Sequence, residues 1–456
     1  MTRRITIAML RFALRVFFSR VEVSGVERVP RRGGAIFVVN HPNGLVDPVF
    51  LLCHAPRRVS FLAKSPLFKI PVIGFFVRKM EAIPVYRHQD EGADVSRNRD
   101  TFGQSHALLK SGGTIAICPE GVSHSEPSLR PLKSGAARIA LGTASTGERL
   151  DLKIVPAGLY YTSKASFRSG ALLYFGEPIT VEPVALWSNG EPPREAVQAL
   201  SERIADALRA LTLNADEHEA LALVARAEGI FSAAEEAEGG ELTLEQELLR
   251  RRRFVAAYAF HREHSPQRLE LLETRLLRYE EELRQVGIED PRALSTETVA
   301  EYGRLWPLLR RGLVFLLLLP FALFGLVVNY PAYKLAGFLA VKFSKEYEDV
   351  LSTFKLAAAM LLFPLTWIVL AAVAYSYARS WTLVAASLLC APLAGYVALR
   401  FTEEFDRFIA GTRASLFFVT ERRFFKQLLD ERRAIRREMV ELGDEAARAD
   451  ALKLSA

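Results

Sequence analysis

A histidine closes the aliphatic run Ala35–Asn40 (AIFVVN), and an aspartate follows six positions later in His41–Pro42–Asn43–Gly44–Leu45–Val46–Asp47. Imidazole has the ordinary side-chain pKa best suited to taking a proton near neutrality. A carboxylate bonded to one ring nitrogen orients the ring and leaves the other nitrogen as a base. Gly44 lets the chain turn so that the two side chains can meet. The spacing alone also fits a turn histidine and an aspartate that caps the following apolar helix.

Three further clusters follow in order. Lys64–Ser65–Pro66–Leu67–Phe68–Lys69, Arg78–Lys79 and Ile83–Pro84–Val85–Tyr86–Arg87 bring cations to the ends of apolar runs. A planar guanidinium there suits a phosphate; ordinary surface cations fit the same positions. Next, Ile117–Cys118–Pro119–Glu120–Gly121–Val122–Ser123–His124–Ser125 turns from a strand into polar residues, and Leu129–Arg130–Pro131–Leu132–Lys133–Ser134–Gly135 leads to a helix. Glu120 can accept from a polyol hydroxyl, and a helix N-terminus can receive an anion. The last cluster, Val155–Pro156–Ala157–Gly158, has no reactive group and reads as structural.

These clusters need a scaffold of alternating elements. Ala35–Asn40, Ala82–Tyr86, Thr114–Cys118 and Lys153–Tyr161 read as buried strands, with helices at Phe102–Lys110, Gly135–Thr146 and 192–212. Such alternation indicates an α/β domain, a mixed sheet flanked by helices, here expected over residues 21–230. Residues 231–310 form a charged helical segment, within which 240–285, broken near Ser265–Pro266, reads as a solvated helical hairpin.

The 456 residues carry a net charge of +7 and are 50% hydrophobic. The mean hydropathy is nonetheless positive, at +0.12. The charge and the hydropathy come from different parts of the chain. Residues 1–35 hold eight arginines against two glutamates. Within them, residues 1–20 read as an amphipathic helix with Ile5, Met9, Phe12 and Val16 on one face, suited to an anionic membrane interface. A helix covering the α/β core fits the same pattern. Residues 311–400 are apolar. Pro320, Asn329 and Pro331 are expected to break 312–341 into a re-entrant pair, followed by a hairpin of Leu356–Tyr377 and Trp381–Leu399. Residues 401–456 read as amphipathic surface helices. Localising the excess charge to one end argues against a nucleic-acid surface. Three cysteines make no disulfide framework, and no metal-type Cys/His cluster is present.

The ordered set His–Asp, Arg-ended, Pro-Glu-Gly and Val-Pro resembles the glycerophospholipid acyltransferase superfamily over residues 21–185. The resemblance implies acyl transfer from an acyl-CoA or acyl-carrier-protein thioester to a glycerol hydroxyl, with no other cofactor and no metal. By motif position, His41 and Asp47 become the catalytic pair. Arg87, Lys64, Arg78 and Lys133 hold the acceptor phosphate, and Asn43, Gly44, Glu120, Gly121, Ser123 and His124 line the acceptor site. Cys118 is expected to be a buried strand residue rather than a nucleophile.

The departures are informative. Five residues separate His41 from Asp47 where the common bacterial lysophosphatidate pattern has four. The third block reads PEGVSHSEPSLRPLKSG rather than Pro-Glu-Gly-Thr-Arg-Ser, and Glu81 replaces the usual glycine of the second. These features, with LTLNADEHEALALVARA at 211–227, look like the fungal-type glycerol-3-phosphate/dihydroxyacetone-phosphate acyltransferases. The implied function is sn-1 acylation of glycerol 3-phosphate, the first step of phospholipid synthesis; the alternative is sn-2 acylation of 1-acyl-glycerol 3-phosphate. The expected setting is a bacterial inner membrane, with the catalytic domain on the cytoplasmic face and anionic lipids as partners. A serine hydrolase is disfavoured because no Gly-x-Ser-x-Gly elbow is present. A non-catalytic scaffold using residues 240–285 would leave the motif set unexplained.

Overall fold

Aliphatic strands alternating with amphipathic helices build a mixed sheet in the first part of the chain. The strands are β1 (Arg20–Ser24), β2 (Gly34–Val39), β3 (Ser60–Lys64), β4 (Ile83–Val85), β5 (Thr114–Ile117), β6 (Leu152–Tyr161), β7 (Gly170–Phe175) and β8 (Ile179–Thr180). Their order is β1-β7-β6-β2-β5-β3-β4, with β8 beside β6. β2 runs parallel to β5 and β6, and β3 parallel to β5 and β4, whereas β6 is antiparallel to β7 and β8. The computed structural model describes residues 3–87, 90, 94–146, 150–236, 242–288, 291, 305–344 and 348–455.

The helices of this part are α1 (Arg3–Phe17), α2 (Val46–His54), α3 (Pro71–Lys79), α4 (Asn98–Lys110), α5 (Gly135–Ala144) and α6 (Arg194–Arg209). Strand alternation sorts the core. Ile36, Val38, Ile115 and Ile154 pack with Ala137 and Ala140 of α5 and Leu200, Ile204 and Leu208 of α6. Phe37 instead meets Phe175, and Tyr161 stacks on Phe18 and meets Phe50 of α2 edge-on. α1 is two-sided. Thr6, Leu14 and Phe17 are buried, and Arg11 Nε donates to the Cys53 carbonyl at 3.1 Å. Ile5, Met9 and Phe12 are exposed, so three residues of the expected apolar face remain open; Val16 is half-buried.

Two compact units result: Met1–Asn214 with Ala340–Leu356, and Ala215–Leu339 with Ala357–Ala456. The first ends at Asn214 rather than at the expected residue 230. The reason is α7 (His218–Glu236), which buries Leu223, Ala227 and Ile230 in the second unit's core.

That core also receives α9 (Pro266–Gln285), which follows α8 (Leu244–His264). Leu272, Leu276, Tyr279 and Leu283 of α9 pack with Phe425, Leu428, Ile435 and Met439 of the helix Arg422–Ser455. The segment expected to be a solvated hairpin is therefore buried along one face, and so is the C-terminal segment expected on the surface. Arg275 reinforces the contact through Glu431, at 2.8 Å, and Glu438. Parts of the 231–310 segment (237–241, 289, 290 and 292–304) lie outside the described residues.

The apolar region also differs from the sequence expectation. Leu305–Ser344 is one 40-residue helix with Pro320 and Pro331 inside it, not a re-entrant pair. A proline removes one hydrogen bond and bends a helix, but an apolar helix need not end there. Glu348–Ala378 and Trp381–Thr420 follow, joined by the expected tight turn, and the last runs well past residue 400. All three are long and apolar enough to cross a membrane. Within the second unit they share one polar knot. Asn329 Nδ2 donates to the carbonyls of Gly325 at 2.8 Å and Ala391 at 3.3 Å, and Trp367 Nε1 donates to Asn329 Oδ1 at 2.8 Å.

Candidate active site

Parallel pairing brings the candidate residues to one edge. Val38 of β2 is in register with Ile117 of β5, so His41 and Glu120, each three residues further on, emerge side by side. The carboxyl ends of β3 and β4 point the same way, where open parallel sheets bind their ligands. Asn40 extends the ladder past β2: its side chain donates to the Leu159 carbonyl at 3.0 Å and accepts from the Leu159 N–H at 2.7 Å.

His41 Nδ1 lies 2.8 Å from Asp47 Oδ2. The Asp47 side chain is fully buried, whereas that of His41 is 19% exposed, so the ring can be reached from solvent. Asp47 Oδ2 also accepts the Asn43 N–H at 2.7 Å, and Oδ1 accepts the Tyr161 hydroxyl at 2.7 Å. An ionised carboxylate only accepts, which assigns the proton of a neutral His41 to Nδ1 and leaves Nε2 as a base. Burial first, and then the Asp47 charge, push the Tyr161 hydroxyl well above its ordinary pKa, so it stays a donor.

Glu120 braces this edge from the other side. Its Oε1 accepts the His41 N–H at 2.8 Å; Oε2 accepts the Arg130 N–H at 3.0 Å and contacts His124 Nε2. Glu120 is 4% exposed and Asn43 is fully buried. Neither therefore lines an open acceptor surface as expected from the sequence: both are walled in and hold backbone or neighbouring side chains. Gly121, Ser123 and His124 remain partly exposed beside His41, and the His124 N–H donates to the His41 carbonyl at 3.2 Å. The Gly44 position has a positive φ of 42° in the His–Asp turn.

The four expected phosphate ligands differ in their commitments. Arg87 Nε donates to Asp90 at 2.9 Å, Nη2 donates to the other carboxylate oxygen, and Nη1 donates to the Gly121 carbonyl at 2.7 Å. Hydrogen bonding from Arg87 holds the Asp90 carboxyl below its ordinary value. Arg78 is tied to the Phe68 carbonyl at 2.7 Å. Lys64 and Lys133 are exposed. The Lys133 ammonium lies 2.7 Å from the point a Cβ on Gly121 would occupy, so glycine there makes room for a cation at the turn.

Cys118 is not a ready nucleophile: burial, then the charges of Asp47 and Glu120, push its thiol well above the ordinary value. The Asn43 N–H is committed to Asp47 and the Gly121 N–H to the Cys118 carbonyl at 3.0 Å, so neither is left to receive an oxyanion. Val155, Pro156 and Ala157 are buried within β6, and a Cβ on Gly158 would lie 2.4 Å from the Leu211 carbonyl oxygen. Among the described residues, no three His, Cys, Asp or Glu side chains group as a metal site.

Sequence reasoning missed Tyr161 and Asp90. Tyr161 was the last residue of an expected strand, Lys153–Tyr161, which was itself a signal that it reaches the working edge. Asp90 had no comparable signal.

An α/β unit with these ordered blocks at its strand edge is that of an acyltransferase, and the family described as Acyltransferase matches residues 20–160. Residues 235–447 match the glycerol-3-phosphate acyltransferase 2 C-terminal domain. A 1-acyl-sn-glycerol-3-phosphate acyltransferase of Bacillus subtilis is 31% identical over 42% of this chain and 92% of its own. The chain belongs to the glycerophospholipid acyltransferase family, a family of O-acyltransferases. An uncharacterized acyltransferase of Schizosaccharomyces pombe is 27% identical over 85% of this chain and 72% of its own. Glycerol-3-phosphate O-acyltransferase 1 of Saccharomyces cerevisiae is 27% identical over 77% of this chain, which spans 58% of that relative's length. These broadly matching relatives are fungal, which gives the expected bacterial inner membrane no support.

Proposed function

We propose that this protein moves a fatty acyl group from an acyl thioester, acyl-CoA or acyl-carrier protein, to the sn-1 hydroxyl of glycerol 3-phosphate. The observation that carries the reading is the joint match of an acyltransferase domain and, over residues 235–447, a glycerol-3-phosphate acyltransferase C-terminal domain.

In this mechanism His41 Nε2 removes the acceptor hydroxyl proton as the oxygen attacks the thioester carbonyl. Asp47 stabilises the imidazolium through Nδ1. The tetrahedral intermediate collapses, the carbon–sulfur bond breaks, and the leaving thiolate takes the proton back from Nε2. The 2.8 Å contact between His41 and Asp47 supports these roles. A general base contributes about 10²–10⁴-fold, so positioning of acceptor and thioester supplies much of the remaining acceleration.

Lys133 and Lys64 suit the acceptor phosphate better than Arg87 or Arg78, whose guanidinium groups are engaged within the fold. The open apolar face of α1 and its arginines suit an anionic lipid surface. Lys342 and Arg400 flank the apolar runs of Glu348–Ala378 and Trp381–Thr420 at the ends that a helical hairpin returns to one side, and favour a cytoplasmic setting for that side.

A second reading, sn-2 acylation of 1-acyl-glycerol 3-phosphate, has the Bacillus subtilis relative in its favour. Both are tested by offering purified protein glycerol 3-phosphate, dihydroxyacetone phosphate and 1-acyl-glycerol 3-phosphate separately, each with an acyl-CoA and an acyl-carrier protein. Turnover is expected with glycerol 3-phosphate, and Lys133→Ala should raise its KM about tenfold, the effect of losing about 1.4 kcal/mol of binding. Turnover with 1-acyl-glycerol 3-phosphate alone transfers the assignment to the second reading.

A further inference from the structure

Residues 340–356 lie some 300 positions from the His–Asp turn in sequence, yet they belong to the same compact unit. Asp349, Ser352, Thr353 and Lys355 precede the apolar stretch that starts at Leu356. On a helix, positions 349, 352 and 353 share one face.

That face docks on three loops around the candidate catalytic pair. Thr353 Oγ1 accepts the Leu45 N–H at 3.0 Å. Ser123 Oγ donates to the Asp349 carboxylate. Ser352 Oγ donates to the Lys164 carbonyl, which also receives Asn43 Nδ2 at 3.2 Å. Lys355 Nζ adds a bond to the Ala165 carbonyl at 2.6 Å. Gly44 permits this approach: a Cβ there would lie 2.9 Å from both the Asp349 carbonyl oxygen and Thr353 Oγ1.

The contacts of Thr353, Asp349 and Ser352 each lie one step from the pair. Leu45 is the N-cap of α2, whose first turn carries Asp47. Ser123 precedes His124, whose N–H donates to the His41 carbonyl. Asn43 supplies a backbone N–H to Asp47 Oδ2.

We propose that Asp349, Ser352 and Thr353 are positioning residues for acyl transfer, which makes the first turns of the helix Glu348–Ala378 a working part of the catalytic unit. The proposal rests on His41 and Asp47 being the catalytic pair. It assigns a function to this segment beyond continuing the chain into an apolar helix. Loss of the clamp frees the His–Asp turn to leave the geometry that transfer needs, and small misplacements are costly in rate.

The test uses the full chain in detergent micelles. Thr353→Val keeps the shape and removes the acceptor of the Leu45 N–H; Thr353→Ser keeps the acceptor. Asp349→Ala removes the partner of Ser123; Asp349→Asn keeps an acceptor oxygen. Thr353→Val and Asp349→Ala are expected to lower kcat about ten- to a hundredfold with both KM values within about twofold and little change in Tm, and the conservative variants to recover most of it. His41→Ala is run alongside. An inactive His41→Ala with unimpaired kcat in both Thr353→Val and Asp349→Ala overturns the clamp and leaves the mechanism standing. An active His41→Ala overturns the mechanism and the clamp with it. Loss of kcat that tracks the fall in Tm, without recovery in Thr353→Ser or Asp349→Asn, also overturns the clamp, because it reports folding alone.

Discussion

Tyr161 occupies the oxygen of Asp47 that His41 does not use: its hydroxyl donates to Oδ1 at 2.7 Å, while His41 Nδ1 meets Oδ2. The carboxylate is thereby held from both sides in a fully buried position. Tyr161→Phe would keep the ring stacked on Phe18 and would leave Oδ1 buried without that donor. Losing a hydrogen bond to a charged group costs about 1.5–3 kcal/mol. We predict a fall in kcat of about tenfold to a hundredfold with both KM values nearly unchanged, read by steady-state kinetics. Unchanged kcat would mean that Asp47 keeps its aim without the phenol.

The strand edge was legible from sequence because its strands are buried and aliphatic. β2, β5 and β6 follow the runs AIFVVN, TIAIC and KIVPAGLYY to within a residue at either end, and motif order alone places His41 and Glu120 at the ends of β2 and β5. The partners of those groups were not legible, because they come from separate parts of the chain. Tyr161 meets Asp47 across 114 positions, and Ser123 meets Asp349 across 226. Glu120 was misread for a related reason. Its type suits a polyol, but three donors of the fold already fill its oxygens. β1 escaped notice because RVEVS is half-buried throughout and carries charges, and β8 because it has only two residues; β3 and β7 were missed too, although GALLYF of β7 is apolar and almost wholly buried. Pro320 and Pro331 misled in the opposite direction, since the helix around them continues in spite of the lost backbone bonds.

Glu120 makes acid stability a readable consequence. Burial alone would raise its carboxyl, but hydrogen bonds from His124, Arg130 and His41 outweigh burial and hold it below the usual 4.5. A group depressed in the folded state contributes stability above its unfolded value and loses that contribution as pH falls through its folded value. The thermal midpoint should therefore decline as the pH falls below about 4.5, and Glu120→Gln should flatten this acid limb while lowering the midpoint near neutrality. Parallel curves for the two proteins, measured by circular dichroism between pH 7 and about pH 3, would assign the acid limb to other carboxylates.

The second unit offers a stability test of its own. The run Arg250–Arg253 reads as a solvated basic face, yet Arg250 and Arg251 are largely buried around Glu228, which is 3% exposed. Glu228 Oε1 accepts from Arg250 and from Ser232, and Oε2 accepts from Arg251 at 3.1 Å; Arg251 also reaches Glu247 at 3.2 Å. Breaking a buried ion cluster by removing one member leaves the others uncompensated and costs about 3–5 kcal/mol. Glu228→Ala should therefore destabilise the second unit by about that amount, seen as an earlier loss of helical signal in denaturant. Replacing the cluster as a whole, Glu228→Leu and Glu247→Met with Arg250→Met and Arg251→Leu, should recover most of the loss, because apolar packing of similar volume carries no desolvation cost. A quadruple variant as unstable as Glu228→Ala would show that the charges supply more than local compensation.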